Sequence, residues 1–432
     1  MYFARAFSIL GRHVSNSSFA MEQTEELIPH LFRTEYRKLT AVLTKIFGLE
    51  HIEIAEDISS DTFLMASETW GIKGLPENPV AWLYTVAKNK AKDYLKRNTL
   101  FDQKIMPHIQ NSTSEIQEFE IDLSEQNITD CQLQMMFAVC HPSISSEAQI
   151  SLSLRVLCGF GIDEIANAFL TNKEVINKRL FRAKEKLRSE QVKIEFPNQN
   201  AIEGRLEVVL RTLYLLFNEG YYSAGKDITL RKEVCLEAMR LTNLLLENKS
   251  TNQPAVNALI SLMCFHASRF EARVNTNGET ILYQDQNESL WNDELIVQGE
   301  CFLNRASVGD KLSKYHLEAG IAYWHTLKQD TAEKWENILQ LYNKLLQLEY
   351  SPIAALNRTY ALSKANGKKE AIIAAEKLNL HDNHLYHALL GNLYTGVNNS
   401  EALSHFQTAL KLTKSKADKM VISKNITNLD SF

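Results

Sequence analysis

A chain of 432 residues is too long for one hydrophobic core and implies about three domains. Its 45% hydrophobic and 23% charged content is that of a folded globular chain, and a formal net charge of −5 excludes a protein that meets polyanions over its whole surface. Six scattered cysteines (131, 140, 158, 235, 264, 301) without a CxxC pair argue against a zinc site and a disulfide framework, and no apolar run reaches the roughly 18 residues of a membrane span.

Glycine (16) and proline (8) are scarce, helical apolar spacing runs nearly throughout, and alternating strand patterns are missing at useful length, so the expected fold class is all-α. Residues 1–21 lack the apolar stretch and small-residue cleavage site of a signal peptide. They are expected to be an extension outside the fold of a cytoplasmic protein, with Met21 opening the folded part. Residues 22–97 form a first helical unit. Within it "EIAEDISSDTFLMASE" (53–68) carries five acids and no base. The following "LPENPVAWLYTVAKNKAKDYLKR" (75–97) starts with Asn78 as N-cap and Pro79 at the first helical position. Trp82, Val86 and Leu95 are expected in a core, and Lys88, Lys92 and Lys96 share one face at spacing four. An acidic helix followed by a basic one suits a unit with a protein partner on one side and nucleic acid on the other. Residues 98–127 lose periodicity, with six acids and no base between 111 and 130, which is linker composition.

A second small helical unit is expected over 128–192, and its informative part is "IDEIANAFLTNKEVINKRLFRAKEKLR" (162–188). Two helices are separated by "LTN", where Thr171 or Asn172 can accept free N–H groups of the second helix. Ile176, Leu180, Ala183 and Leu187 make its buried stripe. Off the stripe, residues 173–188 hold seven bases and two acids. Taken alone, this is either a solvated basic face or a helix-turn-helix that lays its second helix in the major groove. In the second case Asn177 supplies a base-edge hydrogen bond while the lysines and arginines meet phosphates.

Residues 201–432 form a larger helical region. "LLGNLYTGVNNSEALSHFQTAL" (389–410) has Gly391, Tyr394, Ala402, Phe406 and Ala409 near the positions of a tetratricopeptide repeat, and "SPIAALNRTYALSKANGKKEAIIAAEKL" (351–378) is a weaker copy. "FNEGYY" (217–222) is expected as a helix C-terminus capped by Gly220. Trp291, Trp324 and Trp335 are expected as packing anchors. His266, Asp285, Asp293 and His316 are scattered, so no catalytic constellation, cofactor or metal is expected and the chain is not expected to be an enzyme.

Taken together, "AEDISSDTFLMASETW", the basic 75–97 stretch, an acidic linker and "SLSLRVLCGFGIDEIANAFLTNKEVINKRLFRAKEKLR" resemble regions 2 and 4 of extracytoplasmic-function-type RNA polymerase sigma factors. "LYLLFNEGYYSAG" (213–225), "DQNESLWN" (285–292) and the tetratricopeptide-like tail resemble the long C-terminal extension of one sigma-factor group. The resemblance implies a region 2 helical bundle at 22–97, a region 4 helix-turn-helix at 128–192 and a regulatory helical extension at 201–432. It implies that Glu56, Asp57, Asp61 and Phe63 dock on the β′ clamp helices of core RNA polymerase, with the β subunit as a further partner. It implies that Lys88, Asn89, Lys92, Lys96 and Arg97 contact the −10 element of promoter DNA. Lys173, Asn177, Lys178, Arg179, Arg182 and Lys186 would read the −35 element. The extension would take a protein partner of its own, and no membrane is involved. Two departures from the family bear on base preference: the −35 helix begins "TNKEVINKRL" where many members have "TVKSRL", and the −10 helix uses lysines where relatives often have arginine, which favours backbone over bidentate base contact. The alternative is a stand-alone helix-turn-helix regulator with a repeat sensor domain. It leaves the acidic–basic pair at 53–97 unexplained.

Overall fold

The computed structural model describes residues 18–105, 121–222, 228–273, 281, 283–327 and 329–429. Among them are eighteen α-helices and no strand, an all-α fold. The expected extension at 1–21 lies outside the described residues up to 17, and α1 (Ser18–Phe47) contains Met21. The chain divides into two compact units, residues 1–212 and 213–432, with the division falling inside one helix, α8 (Ile202–Tyr222).

In the first unit α1, α2 (Ile52–Lys73) and α3 (Pro79–Ile105) close around Leu39, Phe63, Ala66, Trp70, Leu83 and Ala87. Asn78 caps α3 as expected, its Oδ1 accepting from the Ala81 N–H at 3.0 Å. α3 runs on to Ile105, so the helix takes up the first part of the expected 98–127 linker. The end of that segment is not free chain either. Ile121 is buried beside Ala41, Phe47, Ile58 and Ala91, with Leu123 packed alongside. Two apolar residues among acids were enough to anchor it. α4 (Glu125–Val139), capped by Ser124, adds Ile128 and Cys131 to the same cluster. α5 (Ser146–Leu152) passes into a π-helical turn, Ser153–Leu157, before α6 (Ile162–Ala168) and α7 (Lys173–Ser189).

The second unit is built on α10 (Pro254–Ala267), in which every residue from Val256 to Phe265 is buried. A helix apolar on all sides must be central, and α9 (Ile228–Glu247), α11 (Asp293–Ala306) and α12 (Lys314–Trp324) pack around it. Then follow α13 (Ala332–Leu348), α14 (Pro352–Ala365), α15 (Lys368–Glu376), α16 (His384–Tyr394), α17 (Asn399–Leu412) and α18 (Lys416–Leu429). Each of these packs on its chain neighbour. Trp291 and Trp335 are buried and Trp324 lies half-buried at the core edge, as anchors should. Gly220 departs from expectation: it lies within α8, where a Cβ would stand 2.6 Å from the Arg231 carbonyl oxygen and from Cys235 Sγ. It permits a close helix crossing instead of capping a helix.

Gly391 plays the same part against α17, since a Cβ there would meet the Phe406 ring at 2.6 Å. Gly391→Ala is expected to destabilise the fold by about 1–3 kcal/mol through overpacking. Gly204→Ala, where a Cβ meets nothing within 4 Å, should leave the urea midpoint unchanged or raise it.

On α12 Glu318, bonded to Tyr214, is pushed up to about 7 by burial. Its folded value lies above its unfolded one, so the stability it confers is present below about pH 4.5 and lost as pH rises through about 7. Glu318→Gln should flatten the fall in melting temperature between those two values.

Candidate nucleic-acid interface

α7 forms where its sequence dictates. Asn172 Oδ1 accepts from the Val175 N–H at 2.9 Å, and Ile176, Leu180, Ala183 and Leu187 are all buried. Burying such aliphatic side chains contributes about 1.5–3 kcal/mol each. The basic residues divide into two sets around that stripe.

Outward stand Lys173, Asn177, Lys178, Arg182 and Lys186, all exposed, with Arg179 half-buried. Several are already engaged. Lys173 pairs with Asp163 at 2.6 Å and Lys186 with Glu190 at 2.6 Å. Arg179 donates to Ser151 Oγ at 3.3 Å and lies 5.4 Å from the Phe169 ring centroid. Among the described residues Lys178 and Arg182 have no ion pair. Between them Phe181 is 68% exposed, a feature the residue pattern missed although its position off the Ile176–Leu187 stripe could have shown it. An aromatic ring bare amid basic side chains is the composition of a nucleic-acid contact surface.

Half-buried Lys184 and exposed Arg188 meet the acidic start of α2. Lys184 Nζ lies 2.9 Å from Glu56 Oε2 and 3.5 Å from Glu53 Oε1. Arg188 stands 3.5 Å from Glu53 Oε2 and donates to the Glu50 carbonyl at 2.8 Å. Arg155, from the π-helical turn, donates to Glu56 Oε1 at 2.9 Å and to the Phe160 carbonyl at 3.2 Å. Both oxygens of Glu56 are therefore taken, and the residue is only 8% exposed. We call this arrangement the Glu56 clip.

The other expected docking residues are placed apart from Glu56. Asp57 is exposed, and Asp61 is exposed and paired with Lys90 at 3.2 Å. Phe63 is in the core, 5.1 Å from the Phe32 ring, and presents no surface.

On α3, Asn89, Lys96 and Arg97 are exposed, while Lys88 and Lys92 are half-buried. Arg97 Nε reaches back to the Asp93 carbonyl at 3.4 Å. Lys88, with Tyr84 and Thr85, faces Ile121–Leu123 across a polar groove. There the Asp122 carboxyl is held below the usual range, first by the Ser124 N–H and only to a lesser extent by Lys88. Trp82 is half-buried, edge-on to Trp70 at 5.3 Å, and also borders a second open groove with Glu77, Asn78 and Thr85. The structure thus brings the five α3 residues to one helix and the six α7 residues to another, with Glu56 beneath the latter.

Among the described residues no three His, Cys, Asp or Glu side chains come together as a metal site, and no helix is long and apolar enough to cross a membrane.

Residues 31–100, which span most of α1 through α3, match the family model of sigma-70 region 2. That match supports a sigma-70 family factor taking part in transcription initiation. Residues 205–307 match a family of unknown function, DUF6596. An uncharacterised protein of Rhizobium meliloti (strain 1021) is 28% identical over 387 residues, covering 88% of this chain and 90% of that protein. No solved structure matches the chain.

Hydrogen bonds to charged groups contribute about 1.5–3 kcal/mol. Removing both side chains with Lys184→Ala and Arg188→Ala should therefore loosen α7 and raise hydrogen exchange in the first two turns of α2. Lys178→Ala with Arg182→Ala, on the outward face, should leave that exchange unchanged.

Proposed function

We propose that this protein is an extracytoplasmic-function-type sigma factor, a promoter-specificity subunit that works only on core RNA polymerase. The observation that carries the reading is the region 2 match over α1–α3, in which the acidic α2 precedes the basic α3. In this reading Asp57 and Asp61, with Glu56 once its clip opens, engage the β′ clamp helices. Lys88, Asn89, Lys92, Lys96 and Arg97 on α3 contact the −10 element, where lysines favour phosphate over bidentate base contact. α6 and α7 act as a helix-turn-helix on the −35 element, with Asn177 at a base edge and Lys173, Lys178, Arg179, Arg182 and Lys186 along the phosphates. Phe63 contributes by packing the helix that carries the docking acids. The β subunit is the second polymerase contact. The helical hairpins of 351–412, read as tetratricopeptide-like, modulate output through a protein partner.

Mixing the purified protein with sigma-free core polymerase, with and without housekeeping sigma as competitor, tests the reading. A stoichiometric, displaceable complex is expected. Duplex binding without polymerase, and no complex with it, would overturn the proposal in favour of a stand-alone regulator.

In the complex, Lys178→Ala with Arg182→Ala should weaken all promoters alike and lower the salt slope of binding by about 2, one per phosphate contact. Asn177→Ala should instead relax the preference at one base pair, by about 1–3 kcal/mol.

A further inference from the structure

Around Tyr283 the second unit gathers buried cations that have no ion pair among the described residues. Arg269 is 7% exposed and holds its guanidinium 5.4 Å from the Tyr283 ring centroid. Lys334 is 2% exposed, with Nζ 5.5 Å from the same centroid. It donates to the Tyr283 hydroxyl at 3.1 Å and to the Leu327 carbonyl at 2.9 Å. The His325 and Trp291 rings stand 4.9 and 6.3 Å from that of Tyr283.

Neither buried cation has an ion pair among the described residues. The carboxylates that act on Lys334, Asp330 and Glu288, are exposed. Asp330 is committed elsewhere: it accepts from Trp335 Nε1 and pairs with Lys364 at 3.7 Å. Arg269 is backed by rings and a second guanidinium. Its Nη2 is 3.5 Å from His266, whose ring lies 4.6 Å from that of Tyr221, and Arg273 sits 3.6 Å over the Tyr221 ring. Burial and the neighbouring arginines hold His266 well below its ordinary value, and burial first, then Arg269, brings His325 down to about 3. Both imidazoles are therefore neutral at neutral pH.

Arg269 Nε, Trp291 Nε1 and His325 Nδ1 are buried without a hydrogen-bond partner. Two of these are obligate donors. A buried donor left open is costly, and a buried cation without a counter-charge more so. Water could answer the open donors, but it would leave the charge uncompensated. We infer that this cluster binds a small anion bearing a carboxylate or phosphoryl group, held by Arg269 and Lys334 with the Trp291 indole N–H as a third donor. The guanidinium fork suits either oxyanion. Arg269, Tyr283 and Trp291 lie inside the stretch that matches the family of unknown function, and Lys334 lies beyond it. The inference is independent of the sigma-factor reading, since none of its residues belongs to α1–α7.

The full-length chain is titrated with inorganic phosphate and, separately, with succinate, at ionic strength held constant with chloride, following melting temperature and tryptophan emission. At least one of the two should raise the melting temperature saturably, beyond chloride, and shift the emission. Phosphate alone would identify a phosphoryl ligand, succinate alone a carboxylate, and both a general oxyanion site. Arg269→Met should weaken the apparent affinity at least tenfold, and Trp291→Phe should weaken the melting-temperature response while removing the emission shift. Lys178→Ala with Arg182→Ala should titrate as the unaltered protein does, which separates this site from phosphate binding on α7. The proposal is overturned if neither anion exceeds chloride, or if the Arg269 and Trp291 variants keep the unaltered affinity. Should Arg269→Met fail to fold, the melting-temperature titration of Trp291→Phe decides.

Discussion

Glu56 is an acid buried in the first unit, and a buried carboxylate is tolerable only with charge and hydrogen bonds on both oxygens. Its two partners come from far along the chain, Arg155 from the π-helical turn and Lys184 from α7. Satisfying it therefore fixes where everything between residues 140 and 190 lies relative to α2. Lys184 and Arg188 are spent on Glu56, Glu53 and the Glu50 carbonyl. Asn177, Lys178, Phe181 and Arg182 remain exposed. The clip thus orients the proposed DNA-reading face, and apolar packing of Ile128 and Cys131 against α1 reinforces it.

The local features of this arrangement were legible in the sequence. The Asn78 and Asn172 caps, the Ile176–Leu187 stripe and the turn before α7 depend on neighbours three or four residues away, and the structure has them all. What depended on distant partners was not legible. The acid run at 53–68 reads as a free surface because nothing in it distinguishes Glu56 from Asp57, and the distinction is made by residues about a hundred positions later. Phe63 has the same ambiguity, since its helix is apolar on more than one side. The acidic stretch at 98–127 read as linker because composition averages over Ile121 and Leu123, the two residues that pack. In the sequence Gly220 reads as a helix end because a glycine after polar residues commonly is one. Only the approach of Arg231 and Cys235 shows that it is a crossing point.

Some cations of the two units are placed differently. In the first, Lys178 and Arg182 are exposed on α7 and Lys90, Lys173 and Lys186 pair with exposed carboxylates, and an exposed pair is worth about 0–1 kcal/mol. In the second, Arg269 and Lys334 are carried into the interior beside aromatic rings, where charge is expensive. Net composition hides this contrast, because a chain of −5 overall gives no sign that two of its bases are buried with no ion pair among the described residues. Exposed cations that face outward serve association with polyanions, whereas buried ones beside open donors call for something small.

The same geometry bears on how strongly α7 could hold DNA by itself. Of the six residues proposed for the −35 element, Lys173 and Lys186 are already in ion pairs and Arg179 is bonded to Ser151. Engaging a phosphate means giving those contacts up, so the net gain per contact is smaller than a free lysine would supply. Lys178 and Arg182 carry no such cost, but two phosphate contacts give only weak, salt-sensitive binding. Specific occupancy of a promoter then requires a second anchor that raises the effective concentration of α7 near its site. In the proposed function polymerase is that anchor, and the acid it would engage is held by α7 itself. In that reading, docking through Glu56 competes with the hold of Lys184 and Arg155 on the same carboxylate.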